Sequence, residues 1–159
     1  MLGAACAFGY LPAVLFLFIF FWPVRVEIPV SGFRAGDVVI SSRFTWPRVG
    51  DAVRYSLRND VGGYLVRGTS IERILAESGN EVVWDGQRLT VNRQPSQWLP
   101  LGGFNGMKAN SWTVPPDSVF IPPPQQLQTI TQFYIVPKAN IVGRVIWRTW
   151  PADRWGPLN

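Results

Sequence analysis

The chain contains no histidine, and its single cysteine, Cys6, lies in an apolar N-terminal run. A disulfide within the chain is therefore excluded, as are a His-based catalytic triad and a zinc site of the usual Cys/His type. Lysine is nearly absent too: of 15 basic residues, all but Lys108 and Lys138 are arginine. Any hydrolytic chemistry is left to Ser or Thr with Lys, or to a carboxylate pair. The same inventory offers no metal ligand set and no cofactor motif. Charged residues are sparse at 16%, against 47% hydrophobic, which excludes a disordered chain.

What is present points to β-structure. Without its apolar start the 159-residue chain retains about 130 residues, enough for one domain with its own core. It carries 15 Gly, 14 Pro and eight Trp, a mixture suited to strands and turns rather than to a helical bundle. The net charge of +5 comes from scattered arginines without a basic run, so nucleic acid is not an expected partner. A basic domain beside an anionic bilayer fits better, with membrane lipid as a partner.

The opening MLGAACAFGYLPAVLFLFIFFWPV has no charged side chain from Met1 to Val24. As a helix it would span roughly 36 Å at 1.5 Å per residue, enough to cross a bilayer. The expectation is one uncleaved transmembrane helix over residues 1–24, with Trp22 as an interfacial anchor, and a β domain over residues 25–159. Leu2-Gly3-Ala4-Ala5-Cys6 looks like a lipoprotein cleavage box but lies too close to the start to follow an apolar region. Arg25 and Arg34 follow the run, and by charge alone they would hold the domain in the cytoplasm.

Two Gly-Asp pairs, Gly36-Asp37 and Gly50-Asp51, announce turns before the β-type runs VVI and AVRYSL. YLVRGTSIERIL reads as a long strand or two strands. EVVWDGQRLTVN reads as a hairpin with a type I′ turn at Asp85-Gly86, closed by Asn92-Arg93-Gln94-Pro95. Residues 94–113 read as an irregular loop and 114–121 as a strand, stopped by Pro122-Pro123-Pro124. IVGRVIW reads as the last strand, and no internal repeat is evident.

The order of these pieces resembles the type I signal peptidase (leader peptidase) family over most of residues 25–150. The resemblance rests on GDVVI and GDAV at their spacing, and on IERILAESGNEVVWDGQRLTVN. It rests also on the closing strands, from Val114-Pro115 to Phe120 and from Val136-Pro137-Lys138-Ala139-Asn140 to Arg144. It implies a mostly β, signal-peptidase-like domain behind a single N-terminal transmembrane helix, in the inner membrane of a cell, with the domain on the periplasmic side. It also implies a Ser nucleophile and a Lys base. Here those places hold Ile28 and Glu72; Pro29, Ser31 and Gly32 break the motif around the first, while Arg73 is kept. The late Asp- and Arg-bearing segment is replaced by PPPQQLQTITQF.

Ser31 is the one outside candidate for a nucleophile, three residues from the expected place. Lys108 and Lys138 fall in a loop and a turn, where a solvated amine stays protonated. Glu72, Glu77 and Glu81 could form a carboxylate set, but they read as solvated charges with a Glu72–Arg pair. The expectation is a degenerate peptidase: a non-catalytic accessory subunit of a membrane complex that docks other membrane proteins. The alternatives are a divergent serine peptidase acting on signal peptides or pilin-like substrates, and a peptide-binding pseudoprotease. Arg73, Trp147, Trp150 and Trp155 are the binding candidates, with Trp46, Trp98 and Trp112 as further interface tryptophans.

Overall fold

Residues 20–27, 32–61, 64–98, 104, 107–124 and 131–158 are described in this computed structural model. They form three antiparallel sheets and almost no helix. The first sheet runs β1 (Phe21–Arg25), β2 (Val38–Ser42), β12 (Ile141–Trp150), β3 (Ala52–Val61), β4 (Tyr64–Arg73), and β13 (Gly156–Pro157) adds to β12. In the second, β10 (Ser118–Phe120) lies between β11 (Ile135–Pro137) and β5 (Ala76–Glu77). The third orders β8 (Gln94–Pro95), β7 (Leu89–Val91), β6 (Glu81–Trp84) and β9 (Asn110–Thr113).

The two Gly-Asp pairs turn out to be one device used twice. Arg34-Ala-Gly-Asp37 and Arg48-Val-Gly-Asp51 share the pattern Arg-x-Gly-Asp. Gly36 and Gly50 sit at φ 92° and 90°, where only glycine is unstrained. In each turn an Asp carboxylate accepts the N–H of the Arg three residues back, at 3.1 Å from Arg34 and 2.8 Å from Arg48. The Asp N–H returns a bond to the same Arg carbonyl. This turn launches β2 and then β3 as VVI and AVRYSL suggest.

The β3–β4 ladder runs without a slip from Ala52↔Arg73 to Val61↔Tyr64. Both its faces are covered near the base. Val53 and Tyr55 pack with Ile74, Val119 and Ile121 toward the second sheet. Ala52 and Ile71 pack with Val26, Val39 and Val145 on the other side. A third core, with Trp84, Phe104, Trp112, Phe120 and Tyr134, has ring centroids 4.7–5.5 Å apart. Between β2 and β12 the backbones come so close that a Cβ on Gly143 would meet the Ser42 carbonyl oxygen at 2.8 Å.

Several expectations need correction. A helix over residues 1–24 does not hold at its end, because Phe21–Arg25 is a strand paired with β2 from Phe21↔Ser42 to Arg25↔Val38. Pro23 is tolerated there because β1 is an edge strand. Residues 1–19 lie outside the described residues, and among the described residues no helix is long and apolar enough to cross a membrane. The type I′ geometry belongs to Asn92-Arg93, both at positive φ between Val91 and its partner Gln94, and not to Asp85-Gly86. Asp85 instead closes a four-residue loop, its carboxylate accepting the N–H groups of Gln87 and Arg88 at 2.7 Å. Those bonds hold the Asp85 carboxyl below its usual range. Asn110–Thr113, read as loop, is the strand that covers β6. IVGRVIW extends to Trp150 and is followed by β13, so it is not last.

Candidate functional site

β1 and β4 are the two ends of the first sheet's strand order, yet they face each other across one cavity. Its volume is about 220 Å³, lined by Val24, Arg25, Val26 and Glu27 on one side and Thr69, Ser70 and Ile71 on the other, with Arg54 between. The sheet therefore curls until its edges nearly meet. Among the described strands β1 pairs with β2 and β4 pairs with β3.

Glu72 stands on β4 opposite Val53, beyond the cavity wall, and is buried at 6% exposure. One carboxylate oxygen accepts the Arg73 N–H at 2.9 Å. Its charge also acts on Tyr55: burial pushes the Tyr55 phenol well up, Glu72 pushes it further, and a bond with Ser70 offsets part of this. The Tyr55 hydroxyl donates to the Pro122 carbonyl at 3.5 Å. Position 72 thus carries a side-chain carboxylate that accepts from the next peptide group of β4.

Arg73 takes the opposite face. Its guanidinium donates to the Gly50 carbonyl, lies 4.2 Å from the Trp98 ring centre and comes close to Gly32. Burial lowers its pKa from the ordinary value, while Glu72 and Asp51 raise it. It ties the second Arg-x-Gly-Asp turn to β4, which is a positioning task.

Ile28 and Ser31 lie outside the described residues. Lys108 is exposed, and Lys138 opens a short 3-10 turn, Lys138–Asn140, with its N–H donating to the Asp117 carbonyl. Glu77 and Glu81 are exposed on the second and third sheets, apart from buried Glu72, so the three carboxylates do not meet. No group of three His, Cys, Asp or Glu that could hold a metal occurs among the described residues.

The tryptophans divide. Trp112, expected at an interface, is in the core. Trp46, Trp150 and Trp155 are more than half exposed, and Trp98 is exposed beside Arg73. Trp147 is half-buried and meets Trp155 edge-on at 5.9 Å. The tail packs along its own domain: β13 pairs with β12, Leu158 adds to the Val26 core, and Arg154 is paired with Asp37.

Sequence reasoning missed the buried charge set at Asp37. This carboxylate is 1% exposed and holds Arg154, with Arg148 Nε at 3.4 Å, an ion-pair distance without hydrogen-bond alignment. Arg144 meets Asp51 at 3.1 Å. The repeated Arg-x-Gly-Asp was a visible signal; its partners, over ninety positions later in the chain, were not. The cavity's Glu27 and Arg54 were also passed over. Compared with models of known protein families and with curated proteins, the chain matches none of them.

Proposed function

We propose that this is a non-catalytic, signal-peptidase-like membrane protein that serves as an accessory subunit of a membrane complex, holding an extended segment of a partner between the edges of β1 and β4. The observation that carries this reading is the cavity between β1 and β4, along which no amine occurs among the described residues. An extended segment entering there would gain main-chain hydrogen bonds, which need no nucleophile. Val24, Val26 and Ile71 offer apolar contacts for alternate side chains, and Glu27, Arg54 and Thr69 offer polar ones. A serine–lysine reaction would need a neutral buried amine, and position 72 carries a carboxylate bonded to the next peptide group. The charge-free residues 1–19 support a membrane anchor, and the signal-peptidase resemblance, against the charge of Arg25 and Arg34, supports a β domain outside the cytoplasm.

Thr69 is exposed, so Thr69→Trp fills the cavity with little cost to folding. The expected result is that proteins co-purifying with the full chain in mild detergent are lost in this variant while its unfolding midpoint is unchanged. Retention of the same partners in the same amounts would overturn the docking site. Specific cleavage of a preprotein, abolished by Ser31→Ala, would overturn the non-catalytic reading.

A further inference from the structure

The hairpin of β3 and β4 carries an arrangement that stable proteins avoid unless something offsets it. Arg58 and Arg67 are direct cross-strand partners, and both are exposed. Directly opposed side chains have Cβ atoms only about 5 Å apart, and like charges there are destabilising. The two line a surface depression of about 290 Å³ together with Ser56 and Gly68. Ser56 also borders the neighbouring hollow with Arg43 and Trp46.

Arg54 lies two positions along from Ser56 on the same face of β3. Its Nε is buried without a hydrogen-bond partner. Burial lowers its pKa, and the nearby charge of Arg43 lowers it further. The ion pairs found among the described residues involve Arg144, Arg148 and Arg154, and none reaches Arg43, Arg54, Arg58 or Arg67. The four guanidiniums therefore gather with hydroxyls where no ion pair is found among the described residues, with Glu27 sharing the lining of the cavity beside Arg54.

An aromatic rim adjoins them. Phe44 follows Arg43, stacks on Phe20 at 4.4 Å between centroids and meets Phe21 at 5.6 Å. Trp22, Phe44 and Trp46 are each more than half exposed. Phe20 and Trp22 end the charge-free run of the first 24 residues. Rings with a polar edge beside forked cations suit the headgroup layer of a bilayer, where apolar faces and phosphates lie together. Nucleic acid would use the arginines but leave the rim's junction with an uncharged N-terminal run unexplained.

We propose that Arg43, Arg54, Arg58 and Arg67, with the rim of Phe20, Trp22, Phe44 and Trp46, form a docking face for the phosphate headgroups of an anionic bilayer. The face orients the hairpin toward the membrane. Guanidinium forks grip phosphate oxygens in pairs, which offsets the Arg58–Arg67 repulsion. Arg54 borders both this face and the β1–β4 cavity, whereas Arg58 and Arg67, the residues tested, lie outside that cavity.

The test uses the full chain in a neutral detergent, titrated by calorimetry with short-chain phosphatidylglycerol, short-chain phosphatidylcholine, inorganic phosphate and a single-stranded oligonucleotide. Phosphatidylglycerol is expected to bind best. Arg58→Gln/Arg67→Gln should weaken it about thirtyfold, roughly fivefold for each charge removed. Both side chains are exposed, so the variant keeps its fold, checked by an unchanged unfolding midpoint. Equal binding of phosphatidylcholine, tighter binding of phosphate or oligonucleotide, or wild-type affinity in the double variant would each overturn the proposal. Co-purification of protein partners reports separately on the cavity, so its absence for the wild-type chain, with lipid binding intact, removes only the subunit reading.

Discussion

The two Arg-x-Gly-Asp turns share glycine conformation and internal bonds but differ in how deeply their carboxylates are buried and in how many arginines they hold. Asp37 is sealed at 1% exposure between Arg148 and Arg154. Asp51 keeps a 17% exposed side chain and a single, more open partner, Arg144. A turn motif therefore fixes how a strand starts but not what the carboxylate holds beyond it. The second task comes from β12 and the tail, which present arginines to both turns. Asp37 fastens the chain's end to its beginning, whereas Asp51 steadies a turn that Arg73 also grips through the Gly50 carbonyl.

The strongest way to break the pair is Asp37→Ala. It leaves two largely buried guanidiniums without their carboxylate, and a loss of about 3 kcal/mol is expected in urea unfolding. Asp51→Ala should cost about 1 kcal/mol, since its partner is about a third exposed and screened. Equal losses would mean that burial at Asp37 adds nothing. Arg154→Ala falls between them, at about 1–2 kcal/mol, and should make the tail open to a C-terminal protease before global unfolding. The finest contrast lies in the glycines. Gly36→Ala and Gly50→Ala each place alanine at positive φ, for about 1 kcal/mol. Gly50→Ala should cost a few tenths more, because its Cβ would meet the Trp98 ring nitrogen at 3.3 Å, whereas nothing lies within 4 Å of the same atom at Gly36.

Legibility followed the range of the interactions. VVI, AVRYSL and the EVVW hairpin could be read because their turns and alternation are local. β1 could not: FWPVR continues an apolar run whose lack of charge says helix as readily as strand, and only pairing with β2 decides. Asn110–Thr113 has little hydrophobic pattern of its own and is a strand because β6 lies beside it. The positive φ of Asn92 and Arg93 was hidden because only the Asn is a usual signal, while Asp85-Gly86 carried the stronger one. Trp112 was assigned to a surface by counting tryptophans; a third core with Phe104, Phe120 and Tyr134 takes it in. Of the site, the strand that carries Thr69, Ser70 and Ile71 was legible, since YLVRGTSIERIL reads as strand. The cavity was not, since it depends on two sheet edges meeting through a curl.

β2 and β3 are consecutive in the chain, yet the strand between them is β12. Its Thr149 hydroxyl donates to the Val38 carbonyl, 111 residues away in sequence. During synthesis both strands are made long before the strand that joins them, so each must wait with an open edge. Loop closure over such a distance is slow, and the waiting edges are templates for wrong pairing. The central position of β12 therefore makes completion of the first sheet wait for β12, made about eighty residues after β3.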